Sequence, residues 1–63
     1  MNQAPHMTID LPATTDLEAV KRWTTANAID HDRTSHSVRG QLKGWRYRFN
    51  TIEEKMNFGM RWL

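Results

Sequence analysis

The first patterned segment of the chain alternates apolar and polar residues. In MTIDL, residues 7–11, the apolar Met, Ile and Leu are separated by Thr and Asp. A repeat of two residues is typical of a strand with one buried face. Pro12 follows, and proline ends a strand because it has no amide proton for a ladder. The pattern therefore predicts a strand over residues 7–11.

A helical repeat begins in the segment TDLE. Thr15 and Glu18 have the spacing of a capping box, in which the two side chains satisfy amides of the first turn. The helix is predicted to end near Asn27, a residue type that tolerates the left-handed conformation at helix ends. The inward stripe is predicted to consist of Leu17, Val20 and either Trp23 or Thr24.

The middle of the chain combines a weakly patterned segment with a strongly patterned one. Residues 28–38 contain few apolar side chains and predict a weak strand within about residues 32–39. Gly40 and Gly44 predict a turn or loop over GQLKG. The following WRYRFN alternates aromatic residues with arginine, which predicts a strand with Trp45, Tyr47 and Phe49 on one face.

A second helix is predicted from Thr51 to the end of the chain. Thr51 and Glu54 form another capping-box pair. Phe58 and Trp62 are four residues apart and so lie side by side on the helix. The inward stripe at helical spacing is predicted to be Ile52, Met56, Gly59 or Met60, and Leu63.

The predicted order of elements is β-α-β-β-α, which indicates a single α+β domain over residues 7–63. We expect a three-stranded sheet with both helices on one face, as in a ferredoxin-like fold without its last strand. The preference for right-handed crossovers predicts that the first strand is parallel to the third. Residues 1–6 lack the basic region and apolar core of a signal peptide and are predicted to be a disordered arm.

Composition excludes several classes of protein. The chain has 63 residues and no cysteine, so it has no disulfide, zinc–thiolate site or thiol nucleophile. It contains no apolar run of about 20 residues, the length needed to cross a membrane. Neither a nucleophile elbow nor a phosphate-binding glycine loop is present. We therefore expect a non-enzymatic, cytoplasmic protein without cofactor, metal or membrane partner.

One cluster of residues has the chemistry of metal ligands. It comprises Asp30, His31, Asp32 and His36, whose oxygen and nitrogen atoms suit several divalent metals. On a regular strand, however, His31 lies on the face opposite the other three. We therefore interpret the segment as either a polar loop or an edge strand whose two aspartates beside Arg33 discourage pairing with other chains.

A local excess of positive charge lies in the second half of the chain. Net charge is only +2, yet residues 33–48 contain five basic residues and no acid. With the aromatic residues facing the helices, Arg46 and Arg48 lie on the opposite face, since burying unpaired arginines is costly. The predicted nucleic-acid-binding residues are Arg39, Lys43, Arg46 and Arg48. The alternative is a sheet face that is charged only for solubility.

The segment KGWRYRF also invites comparison with the RNA-recognition motif. That family has a basic–Gly–aromatic–small–aromatic–aliphatic pattern on its third strand. Lys43, Gly44 and two aromatic residues match, but Arg46 and Arg48 stand where small and aliphatic residues must enter the core. No fourth strand follows either, so we assign no RNA-stacking residues.

The C-terminal segment YRFNTIEEKMNFGMRWL, about a quarter of the chain, resembles small accessory proteins of large tailed bacteriophages. The shared features are an aromatic strand, an acidic first turn and a helix that ends in FGMRW. The resemblance implies a phage-encoded accessory protein that acts in the bacterial host cytoplasm, and it implies no particular activity.

Large apolar residues are abundant for so short a chain. Three tryptophans, two phenylalanines and four methionines exceed what a three-stranded sheet can cover, and such residues are common at protein interfaces. The alternative is that they all fill a tight core. Our first hypothesis is binding to a host protein or to a second copy as a homodimer, and nucleic-acid binding is the second. The predicted protein interface is Phe58, Met60, Trp62 and Leu63.

Overall fold

A computed structural model describes residues 7–63 of the chain. Its elements are β1 (Thr8–Pro12), α1 (Leu17–Ala26), β2 (His31–Val38), β3 (Gln41–Phe49) and α2 (Ile52–Trp62). This order confirms the predicted small α+β fold with a three-stranded sheet. The arm predicted for residues 1–6 lies outside the described residues.

The strand order is β1-β3-β2, with β3 antiparallel to both of its neighbours. The prediction that the first strand is parallel to the third is therefore wrong. The reason is that β3 follows β2 through a hairpin and must reverse direction. The crossover rule applies instead to β1 and β2, which run parallel on either side of β3 and are joined through α1. This is the split β-α-β arrangement.

The hairpin between β2 and β3 turns at Arg39 and Gly40. Their φ angles are 54° and 80°, and two successive positive values are typical of the type I′ turn that suits twisted hairpins. Because the turn takes only these residues, β3 begins at Gln41, and residues 41–44 are strand rather than the predicted loop. The pairing is irregular between His36 and Ser37, which leaves Lys43 without an opposite residue.

Gly44 is required by packing within the sheet. It lies opposite Pro12 of β1, and a Cβ atom at this position would overlap the backbone carbonyl of Leu11. The residue therefore permits a close approach of β1 to β3, a common role of glycine inside strands. A turn role had been predicted for it, and the structure corrects that prediction.

Helix α1 begins one residue later than predicted. Asp16 is the N-cap, and its Oδ1 atom accepts hydrogen bonds from the amides of Glu18 at 3.1 Å and Ala19 at 3.2 Å. A carboxylate at this position is also stabilised by the positive end of the helix dipole. Thr15 lies one residue before the cap, and its amide closes the preceding turn by donating to the carbonyl of Pro12.

The other predicted helix ends are confirmed. Asn27 caps the C-terminus of α1, although it is the next residue, Ala28, that takes a positive φ of 53°. Thr51 caps α2, and its Oγ1 atom accepts from the amide of Glu54 at 3.2 Å. The Thr51 hydroxyl also donates to the Glu54 carboxylate at 3.1 Å, so the two residues of the predicted pair do interact.

The core lies between the sheet and the two helices. Phe58 is fully buried, and its ring centroid lies 4.9 Å from those of both Tyr47 and Phe49. This packing confirms that the aromatic face of β3 points toward the helices. The remaining buried apolar residues are Ile9, Leu11, Val20 and Ile29, with Trp23, Trp45 and Trp62 packed against them.

Helix α2 is rotated relative to the prediction. Gly59, the predicted alternative to Met60, is half-buried. The other predicted inward residues are exposed, with fractional exposures of 48% for Ile52, 59% for Met56, 83% for Met60 and 81% for Leu63. Phe58 and Trp62 face inward instead, and each makes an edge-on contact with Trp23. The larger aromatic side chains gain more from burial than methionine or isoleucine. That difference selects the side of the helix that covers the sheet.

Candidate functional site

The most prominent surface feature is a line of exposed apolar side chains on α2. We call it the apolar stripe, and it consists of Ile52, Met56 and Met60 of the helix together with its C-cap residue, Leu63. Their spacing of four, four and three residues places them on one side of the helix. Large apolar residues that cluster on a surface indicate an interaction site.

The structure divides the predicted protein interface into two pairs. Met60 and Leu63 lie at the surface, whereas Phe58 is a core residue and Trp62 is partly buried against the core. Ile52 and Met56 complete the exposed line, and sequence reasoning placed them in the core instead. Their exposure had no separate signal in the sequence, because both apolar sides of α2 have helical spacing.

Two rows of residues flank the apolar stripe. Glu53, Asn57 and Arg61 form one exposed row, and Lys55 and Gly59 form a half-buried row on the other side. The guanidinium carbon of Arg61 lies 4.2 Å from the centroid of the Trp62 ring, a cation–π contact that restrains the side chain. The exposed row therefore borders the stripe with one acid, Glu53, and one base, Arg61.

The side of the sheet that faces away from the helices forms a second exposed surface, which we call the open face. It carries Thr8 and Asp10 from β1, Arg46 and Arg48 from β3, and Asp32 and Thr34 from β2. The orientation predicted for the two arginines is confirmed. Their environment differs from the prediction, because acids on the neighbouring strands lie beside them.

Arg46 is already engaged by Asp10. The Nε atom donates to Oδ1 at 2.8 Å and Nη2 donates to Oδ2 at 3.1 Å, which makes the pair bidentate. The Arg46 hydrogen bond lowers the pKa of the Asp10 carboxyl below its ordinary value of 3.8, with a smaller contribution from the nearby charge of His36. The same hydrogen bond raises the pKa of Arg46. Both groups therefore stay charged over the whole neutral range.

The four predicted nucleic-acid-binding residues are not gathered into one patch. Arg48 lies opposite Thr8 on one side and Asp32 on the other. Arg39 lies in the hairpin turn and Lys43 in the irregular part of β3. At about 3.3 Å per residue, the set extends over roughly 30 Å along the strand. The open face combines both signs of charge and is not the uniformly basic surface that the local sequence suggested.

The four residues with metal-ligand chemistry, Asp30, His31, Asp32 and His36, do not lie together. The Nδ1 atom of His31 lies 3.1 Å from the carbonyl oxygen of Ile29, and its ring packs near Tyr47. Asp30 instead accepts a hydrogen bond from the side chain of Asn50 at 2.9 Å. Within residues 7–63, no group of three potential ligands is placed to hold a metal ion. The edge position predicted for this strand is confirmed by the strand order.

A cleft of about 440 Å³ lies between α1 and β2. Its charged lining residues are Lys21 and Arg33, and the Arg33 guanidinium is directed toward the ring of Trp45 at 5.0 Å. Tyr47 also lines the cleft, but its hydroxyl is buried and makes no hydrogen bond within the described part of the chain. The cleft presents positive charge but no close pairing of a nucleophile with a base.

Neither helix within residues 7–63 is long and apolar enough to cross a lipid bilayer.

Comparison of the chain with protein-family models, with curated proteins and with solved structures gave no match.

Proposed function

We propose that this chain is a non-enzymatic binding protein that acts through protein–protein contact on the apolar stripe of α2. The observation that carries the proposal is the exposure of four large apolar side chains in a single line. Methionine is well suited to this role, because its flexible side chain adapts to a partner surface. The resemblance to phage accessory proteins favours a bacterial cytoplasm as the place of action.

The stripe is presented by a helix that is held in place from several directions. Phe58 anchors its inner side in the core, and Thr51 caps its first turn. Glu54 accepts a hydrogen bond from the amide of Asp30 at 3.2 Å, which fastens the start of α2 to the loop before β2. A surface that is already ordered loses less conformational entropy on binding, and this favours recognition by α2.

The alternative, nucleic-acid binding through Arg39, Lys43, Arg46 and Arg48, has less support. Asp10 and Asp32 lie beside the two arginines at the centre of the sheet, and Asp10 occupies the hydrogen-bonding edge of Arg46. A phosphate would have to compete with a carboxylate for that edge.

The proposal is tested with Met60→Glu, which places a charge in the middle of the stripe. The matched control is Thr25→Glu, the same added charge at an exposed position of α1. Sedimentation velocity up to about 1 mM and chemical crosslinking in bacterial extract would be compared for the wild type and both variants. We expect at least one complex, with itself or with a host protein, that Met60→Glu abolishes and the control retains. If no complex depends on Met60, the proposed function is wrong.

A further inference from the structure

We propose that the partner of the apolar stripe is a second copy of this chain, packed so that the two α2 helices run antiparallel. This inference rests on the proposed function and adds the identity of the partner to it. It is carried by the order of residues along the two rows that flank the stripe. The exposed row is self-complementary when the two helices run antiparallel, because its acid and its base then meet across the contact.

The exposed flanking row provides charge complementarity. In an antiparallel pair related by a two-fold axis, each flanking row meets the same row of the other copy in reverse order. Glu53 then lies near Arg61 of the second copy, Arg61 lies near its Glu53, and Asn57 lies at the axis opposite itself. Opposite charges that meet across an interface determine the orientation and register of a helix pair.

The other row avoids repulsion in the same arrangement. Reversal of this row places Lys55 opposite Gly59 of the second copy, so the two lysines are kept apart. A glycine opposite a long side chain also leaves room for its aliphatic part. Neither flanking row therefore brings like charges together.

The stripe is also complementary to itself when the two helices run antiparallel. In this register Ile52 lies within one residue of the position opposite Leu63 of the second copy, and Met56 lies within two residues of the position opposite its Met60. Apolar side chains thus meet apolar side chains along the full length of the contact. Because two methionines from each copy lie near the axis, the centre of the contact adapts easily to close packing.

A parallel arrangement pairs the same residues differently. About a two-fold axis that runs along the helices, each flanking row meets the other row of the second copy, so Glu53 lies near Lys55 and Arg61 lies near Gly59. That direction leaves Arg61 without an acid, whereas the antiparallel direction gives it Glu53, and arginine binds a carboxylate through two parallel hydrogen bonds. The geometry of α2 therefore favours the antiparallel direction.

The length of α2 limits the strength of this contact. A helix of 11 residues is about 16 Å long. A contact of that length covers less than the roughly 800 Å² per partner that is usual for stable complexes. We expect a reversible dimer with a Kd of roughly 10 μM to 1 mM.

The test is a charge-reversal cycle measured by sedimentation equilibrium over about 10 μM to 2 mM protein. Glu53→Arg brings arginine against Arg61, and Arg61→Glu brings glutamate against Glu53. Each single variant is expected to weaken the dimer about tenfold, and the double variant Glu53→Arg/Arg61→Glu to restore it to within about threefold. Both positions are exposed, so circular dichroism should show an unchanged fold in all three variants.

The possible results separate this inference from the proposed function. A chain that stays monomeric at about 2 mM overturns the second copy as partner. If a host protein is then captured in a Met60-dependent way, the proposed function stands without the dimer. A dimer that Met60→Glu abolishes but that the charge reversals leave unchanged overturns the antiparallel arrangement. Monomeric protein without any Met60-dependent complex overturns both.

Discussion

The open face of the sheet and the apolar stripe of α2 are both exposed, but they differ in what lies next to them within residues 7–63. Neighbouring strands place acids beside the open face, whereas the stripe is left uncovered. The open face has two central arginines, and strands β1 and β2 place Asp10 and Asp32 beside them. The stripe has four apolar side chains, and no element within residues 7–63 covers them. Whether an exposed surface is available to a partner therefore depends on the residues that the fold places next to it.

The largest expected effect is the difference in folding stability between substitutions on the inner side and on the outer side of α2. Phe58→Ala should destabilise the fold by about 3–5 kcal/mol, because it removes a fully buried ring from the centre of the core. That is comparable with the whole stability of so small a domain, so the variant should be largely unfolded. Met60→Ala should cost less than about 0.5 kcal/mol, because its side chain is exposed in the monomer. Urea unfolding followed by circular dichroism measures both.

The same pair of variants is a check on the rotation of α2. The measurements should be made at low micromolar protein, where self-association does not add to the apparent stability. Trp62→Ala should fall between the other two, because that ring is partly buried. A larger cost for Met60→Ala than for Phe58→Ala would mean that the helix turns its methionine side toward the core, the orientation that the sequence predicts.

These two surfaces also show what the sequence could and could not predict. A strand offers only two faces, so the charges of Arg46 and Arg48 were enough to turn Tyr47 and Phe49 inward. A helix offers a continuous range of rotations, and α2 has apolar residues on two adjoining sides. Periodicity alone therefore did not distinguish the stripe from the side that contains Phe58.

The arrangement of the strands required information from distant parts of the chain. The order of elements followed from local patterns, but β3 lies between β1 and β2, and that placement brings Asp10 next to Arg46. The two residues are 36 positions apart in sequence. Gly44 is a similar case, since its role depends on the close approach of Leu11. Neither contact has a signal in the residues around it.

A smaller effect is expected when the acids of the open face are neutralised. Asp10→Asn/Asp32→Asn should leave the two arginines without carboxylates beside them and raise the net charge of the surface by two, because two negative charges are removed. We expect affinity for a short single-stranded oligonucleotide to rise about tenfold at low salt, with a steeper dependence on salt. Fluorescence anisotropy at several salt concentrations measures both quantities.

The matched control removes the same number of negative charges elsewhere. Glu18→Gln/Glu53→Gln changes two exposed acids that lie on the helices. It should raise affinity much less, because the added charge is distant from the arginines and is screened by salt. If the wild type already binds tightly through Arg46, and the open-face variant binds no better than the control, the nucleic-acid alternative would gain support over protein binding.

The smallest expected effect concerns the ion pair between Asp10 and Arg46. Folding lowers the pKa of Asp10, so the deprotonated form of its carboxyl is more stable in the folded chain than in the unfolded chain. The pair therefore stabilises the fold above about pH 4, and that contribution is lost as the pH falls through the lower folded-state pKa. It should be small, because the two side chains are 54% and 44% exposed. Urea midpoints of the wild type and Asp10→Asn should differ at pH 7 and converge toward pH 2. A constant difference across that range would show that Asp10 acts on the fold by some means other than its charge.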